Sequence, residues 1–175
     1  MVSLPRQENV LNCCEMSKEF TELDEREILA LAISLEEEDG RIYMDFAEKL
    51  KADHPALASI LQSMCAEESA HRARLLETYK LKFGDYIPLV RRQDVKGFVK
   101  RRPIWLNRLL QPKRVLAAVM LMEAETRRFY REAGNTVTSG EMRKLLGELA
   151  DAEEDHQDAL VGLTKKQKQS ALPEG

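Results

Sequence analysis

The sequence predicts an all-α domain: four long helices packed as a bundle, with one long crossover between the second and the third. Three observations predict it. Apolar residues make up 43% of the 175-residue chain and charged ones 33%, while 8 Gly and 6 Pro gather at a few points. That is the composition of a helix-rich globular domain large enough for one core. Apolar positions recur at helical spacing in four separate stretches. A long stretch between the second and third of these lacks that periodicity, and so long a connection suits a crossover between parallel helices better than a tight hairpin.

Residues 1–20 carry no clear periodicity and read as a flexible N-terminal arm. From Thr21 the signal sharpens, with Thr21 or Asp24 as N-cap and acidic residues in the first turn. Leu29, Ile33, Glu36, Tyr43, Phe46 and Leu50 then share one face of a first helix over about 24–51. "KADHPAL" is a turn, and Pro55 suits the first position of a second helix over about 55–82. Ile60, Leu61, Met64, Glu68, His71, Leu75 and Tyr79 run down its face, and Gly84 and Pro88 stop it. Residues 83–112 are basic, holding Arg91, Arg92, Lys96, Lys100, Arg101, Arg102 and Arg108 and the single Trp, Trp105. Short helical turns are expected at 92–100 and 103–110. The third helix, about 112–133, starts at Pro112 and ends near Gly134; the fourth covers about 139–162. Residues 163–175 read as a polar tail or linker, which leaves 21–162 as the folded domain.

Several function classes drop out. The formal net charge of −3 does not suit a nucleic-acid binder. Three cysteines (Cys13, Cys14 and Cys65) with no C-x-x-C pair give neither a zinc knot nor a rubredoxin-type iron site, and fit a reducing compartment. No signal-peptide core and no apolar run of about 20 residues is present, so the chain is expected to be soluble and cytoplasmic.

An internal repeat carries the functional reading. The first helix has Glu36 and, seven residues later, Tyr43; the third has Glu123 and, seven residues later, Tyr130. Arg41 and Arg128 precede each Tyr by two, and Leu29 and Leu116 precede each Glu by seven. The second helix supplies Glu68-x-x-His71 and the fourth Glu153-x-x-His156. The chain is one helical hairpin used twice. Spacings of seven and three keep each pair on one helix face. Two hairpins related by a pseudo-two-fold therefore deliver four Glu and two His to one point in the core. One Glu from each of two helices plus a Glu-x-x-His from each of the others is the donor set of a dinuclear carboxylate site. Four carboxylates in an apolar core would repel one another and lose hydration at several kcal/mol apiece, and two divalent cations offset that charge. Oxygen-rich ligation with one imidazole per metal suits Fe or Mn better than zinc. Glu68 and Glu153 are the natural bridges, Glu36 and Glu123 the terminal ligands, and His71 and His156 would each cap one metal. Tyr43 and Tyr130 are either plain core aromatics or donors to the terminal carboxylates of the opposite hairpin.

A lone Glu-x-x-His in a chain this charged is more often a surface pair. Here, however, Glu36 lies in register with Leu29, Ile33 and Leu50, Glu68 with Leu61 and Leu75, and Glu153 with Leu146, Leu149 and Leu160. Glu38 and Glu125 are expected to face solvent, an extra ligand or shuttle residue being the alternative; His54 is expected to be a cap or surface residue, and Cys65 a small packed side chain, with redox coupling to the site as its alternative. The basic crossover is either a solvated connection or a contact with an anionic membrane surface.

At these residues the chain resembles the ferritin-like superfamily, over about 22–162, and within it rubrerythrin and bacterioferritin. "EREILALAISLEEEDGRIYMDFA", "LVRRQDVKGFVKRRPIWL" and "LMEAETRRFYREA" resemble more specifically the membrane-bound ferritin family. The resemblance implies a ferritin-like four-helix bundle with Glu36, Glu68, His71, Glu123, Glu153 and His156 as ligands of two iron ions. It implies Fe(II) oxidation by O2 or peroxide, iron export and resistance to iron and peroxide stress. It also implies a homodimer at the cytoplasmic face of the inner membrane, joined to a transporter domain absent from these residues. A rubrerythrin-like peroxidase and a non-enzymatic iron sensor or dimerisation module are the alternatives. Two departures bear on the choice. No rubredoxin cysteines supply electrons, and rubrerythrin's additional glutamate on the third helix would fall on Thr126, with Glu125 as its only substitute.

Overall fold

The computed structural model describes residues 18–96 and 111–170. Helix α1 (Glu25–Leu50) starts where expected, at Asp24. The Asp24 carboxylate accepts from the Glu27 N–H at 2.8 Å, and Glu27 accepts in return from the Asp24 N–H at 3.2 Å. This reciprocal cap satisfies two of the otherwise orphaned N–H groups at the helix start. Glu25 Oε1 reaches further and accepts from Thr138 N at 2.7 Å and Ser139 N at 3.0 Å. The bond from Ser139, with those from Thr138, holds the Glu25 carboxyl below its ordinary pKa, and it ties the start of one hairpin to the turn of the other.

Helix α2 (Pro55–Phe83) begins on its proline and ends at Gly84, whose φ of +80° a side chain would strain. Helix α3 (Pro112–Thr136) runs through Gly134 instead of stopping there. A Cβ at Gly134 would lie 4.0 Å from that of Leu146, an ordinary contact, so α3 continues through this position with room for a methyl group. Helix α4 (Gly140–Ser170) continues past the expected end near 162. Residues 163–170 are mostly Leu, Lys and Gln, good helix formers, and Leu163 packs on the core. In the crossover a 3₁₀ turn at Arg92–Asp94 lies within the first expected helical turn. Val95 and Lys96 do not continue it as a helix but form a strand, because their backbone pairs with the segment before α1; residues 97–100, the turn expected at 103–110 and Trp105 fall outside the described residues. Strand β1 (Lys18–Glu19) pairs in parallel with β2 (Val95–Lys96), Lys18 opposite Val95 and Glu19 opposite Lys96.

Packing follows the repeat. Within the first hairpin Arg26 reaches Tyr79 while Gly40 faces Cys65 and Glu68, so α1 and α2 are antiparallel. Between hairpins, Tyr43 meets Glu123, Asp39 meets Thr126 and Glu36 meets Tyr130. Higher numbers on α1 face lower numbers on α3, so these two are also antiparallel, and α2 and α3 run parallel as a crossover requires. The apolar core falls into two halves. One gathers Leu29, Leu31, Tyr79, Phe129, Leu146 and Leu149; the other gathers Phe46, Leu50, Leu61, Met64, Val119 and Leu160. The repeat's acidic positions lie between the two. The architecture is the four-helix bundle the sequence predicts. Among the described residues, no helix is long and apolar enough to cross a membrane.

Candidate metal centre

Each helix brings its acidic residue to the bundle axis because that residue occupies a core position of the helical repeat. Glu36, Glu68, Glu123 and Glu153 are at most 2% exposed, and His156 is 4% exposed. His71 is the most accessible, with 17% of its side chain exposed. The six form two overlapping groups. Glu36, Glu68, His71 and Glu153 offer donor atoms within 4.8 Å of one another, and so do Glu68, Glu123, Glu153 and His156. Glu68 and Glu153 belong to both. His71 Nδ1 lies 3.2 Å from Glu68 and 3.7 Å from Glu36. His156 Nδ1 lies 3.2 Å from Glu123, 3.5 Å from Glu68 and 3.6 Å from Glu153. The two imidazoles stack across the centre at 6.1 Å.

The tyrosines do both things left open by the sequence. Tyr43 and Tyr130 are buried core aromatics, and each hydroxyl donates to a carboxylate of the opposite hairpin, Tyr43 to Glu123 and Tyr130 to Glu36. Burial, with the nearby carboxylates, raises both phenol pKa values, so both remain donors.

The cluster is short of positive charge. Glu36 Oε2 and Glu153 Oε1 are buried and accept no hydrogen bond. Burial, the bond with Glu36 and the surrounding negative charge push the Glu68 carboxyl far above its ordinary range. Burial and the bond with Glu123 do the same to Glu153. Burial also opposes ionisation of Glu123, but bonds with Glu153, His156 and Tyr43 outweigh it and hold its pKa low. His156 supplies counter-charge: burial disfavours its cation, yet Glu123 and Glu153 push its pKa up to about 11. Carboxylates that must keep protons, or share one imidazolium, are what a metal-ligating set looks like without its cations. Unpartnered oxygens and a donor set of oxygen and nitrogen without sulfur fit hard or borderline divalent ions.

The family profile of rubrerythrin matches residues 27–164. The chain belongs to the rubrerythrin family. No curated protein matches it significantly. Two solved structures share its fold. A hypothetical protein from Pyrococcus furiosus is 23% identical, with a TM-score of 0.66 over 88% of this chain and 96% of that one. An uncharacterized conserved protein from Magnetospirillum magnetotacticum is 21% identical, with a TM-score of 0.68 over 87% and 98%.

Around this candidate cluster the structure adds residues that the spacing did not single out. Asp39, 3% exposed, accepts from Thr126 Oγ1 at 3.0 Å. The position where a further glutamate was considered is thus filled by a hydrogen bond between α1 and α3. Glu125 does not face solvent as expected. Only 13% of its side chain is exposed, and it pairs with Arg92 of the crossover at 3.3 Å. Glu38 is the more exposed of the two and lies 3.6 Å from the same guanidinium. The sequence hid this because a crossover arginine and two helix carboxylates meet only once the chain has folded over. Cys65 is partly buried, and burial raises its thiol pKa. It lines a cleft of about 380 Å³ between α1 and α2, with Glu36, Gly40 and Ser69. The Arg72–Glu37 ion pair, at 3.2 Å, is also part of the cleft wall.

Proposed function

We propose that the domain binds two iron ions between its hairpins and oxidises Fe(II) with O2 or peroxide. The convergence of two donor groups that share Glu68 and Glu153 carries this reading. Glu68 and Glu153 would bridge the two positions, Glu36 and Glu123 would each hold one terminally, and His71 and His156 would each supply an imidazole. Four carboxylates balance two divalent cations, so the buried layer becomes neutral only when both are bound. Mn(II) satisfies the same donors. Tyr43 and Tyr130 fix the terminal carboxylates in one orientation, and the apolar halves cover the layer on either side along the bundle axis. Bound iron would supply two electrons to one peroxide: 2 Fe(II) + H2O2 + 2 H+ → 2 Fe(III) + 2 H2O.

Anaerobic Fe(II) loading followed by one equivalent of peroxide tests the reading. The expected result is two irons per chain and rapid growth of ferric near-ultraviolet absorbance. Glu36→Ala combined with Glu123→Ala should abolish both, and unchanged iron binding in that double variant would sink the assignment. Membership of the rubrerythrin family favours a second reading, a peroxidase with repeated turnover. These residues hold no C-x-x-C pair, so its electrons would come from outside them. NADH-dependent peroxide consumption with an added reductase separates the two, because a ferroxidase stops after one oxidation of its bound iron. Resemblance to the membrane-bound ferritins supports a wider role: a homodimer joined to a transporter domain at the cytoplasmic face of the inner membrane, delivering iron for export. A monomer in light scattering would remove the dimer from that role.

A further inference from the structure

The repeat that builds the centre is broken beside it. The residue before Glu68 is Glu67, whereas the residue before Glu153 is Ala152. Glu67 reaches from α2 to α4, where its Oε2 lies 3.0 Å from Nε2 of His156. Its Oε1 accepts from Ser63 Oγ, one turn back, at 3.1 Å. The same imidazole presents Nδ1 to Glu123, Glu68 and Glu153, so the ring is gripped on both nitrogens. His71 is held on one side only. Its Nδ1 faces Glu68 and Glu36, but the position matching Glu67 is Ala152, which has no side-chain acceptor. Among the described residues nothing bonds its Nε2. His71 is also the more exposed ring, 17% against 4% for the side chains. The cleft between α1 and α2 reaches Glu36, on that same half of the centre.

Resting on the two-metal reading above, we infer that Glu67 is a positioning residue that makes the two metal positions unequal. The position of Glu123 and His156 is the tight one; the position of Glu36 and His71 is the weaker, exchangeable one. A carboxylate that accepts the outer N–H of an imidazole fixes its tautomer and ring plane and makes the inner nitrogen a better ligand. Removing such a partner lowers metal affinity about 10–100-fold. The braced and unbraced positions should differ by a factor of that order.

Anaerobic titration of the full chain with Co(II), followed by calorimetry and visible absorbance, reads the two positions directly. The wild type should bind in two steps separated by about 10–100-fold. Glu67→Ala should weaken the tight step and bring the two together. Glu67→Gln, whose amide oxygen still accepts from the ring N–H, should weaken it less. Ala152→Glu places the matching carboxylate opposite His71 and should tighten the weak step; this variant carries the test alone should Glu67→Ala lose helicity in circular dichroism. Two unequal steps that ignore both Glu67→Ala and Ala152→Glu, or two equal steps in the wild type, overturn the inference and leave the two-metal reading standing. Failure of the wild type to take up two Co(II) overturns that reading itself.

Discussion

Stripping the metal from this domain should turn it into a protein that prefers acid. Without cations, burial and neighbouring charge keep Glu68 and Glu153 protonated far above the ordinary carboxyl range. In the unfolded chain both titrate near about 4.3. Between about pH 5 and 8 the native state therefore binds about two more protons than the unfolded state, and stability falls as pH rises. Each retained proton contributes a slope of about 1.4 kcal/mol per pH unit. His156 acts in the same direction. Its folded pKa of about 11 lies above the unfolded value of about 6.5, so its stabilisation is complete below that pH and is lost as pH climbs toward 11. Glu123, lowered, matters only where pH falls through its own folded pKa, below this window. The full slope is an upper bound of about 3 kcal/mol per unit below pH 6.5, which water penetration and relaxation reduce. Even about 1 kcal/mol per unit removes about 2 kcal/mol between pH 5.5 and 7.5, which is about 4–8 °C in Tm for a chain of this size. Calorimetry of chelator-treated protein across that range measures it. Adding Mn(II) should reverse the slope, because the ligands give up their protons to bind metal. A metal-free Tm that is flat or rises with pH would refute the reasoning, as would a slope that Mn(II) leaves unchanged.

Other perturbations have simpler readouts. Tyr130→Phe takes the donor from Glu36 and should lower metal affinity about 10–100-fold in a Co(II) titration while circular dichroism stays native. Thr126→Val keeps the shape but removes the 3.0 Å bond to buried Asp39; a loss of about 1–3 kcal/mol in urea unfolding is expected, and a neutral effect would show that bond to be dispensable. Asp24→Ala removes the carboxylate that accepts from the Glu27 N–H, while the backbone N–H of residue 24 can still donate to Glu27, and should cost about 1 kcal/mol in the same assay.

What was legible in the sequence was whatever lies along one helix or repeats between two. The helix starts at Asp24, Pro55 and Pro112, and the six acidic and imidazole positions, follow from caps, periodicity and the duplicated hairpin. Features that depend on how helices meet were not legible. Glu67 stands outside the repeat, and nothing along α2 shows that α4 brings His156 within 3.0 Å of it. Arg92 reads as one of many crossover cations until folding places it against Glu125. Gly134 reads as a stop signal, yet α3 runs on to Thr136 because its buried face packs on α4 at Leu146. The pairing of Lys18–Glu19 with Val95–Lys96 leaves almost no pattern, since two-residue strands are too short for any periodicity.

The bond between Asp39 and Thr126 has a meaning beyond its energy. The two residues are 87 apart, the same interval that separates Glu36 from Glu123 and Tyr43 from Tyr130. They are counterparts, and they touch each other, so they sit on the pseudo-symmetry axis itself. Two identical hairpins paired as separate chains would have to place the same residue on both sides of that axis. Aspartate would then face aspartate, a repulsive pair, or threonine would face threonine with no charge to hold. A carboxylate can meet a hydroxyl there because both halves belong to one chain and are free to differ. Covalent linkage has let this domain keep a two-fold framework while giving each half its own chemistry.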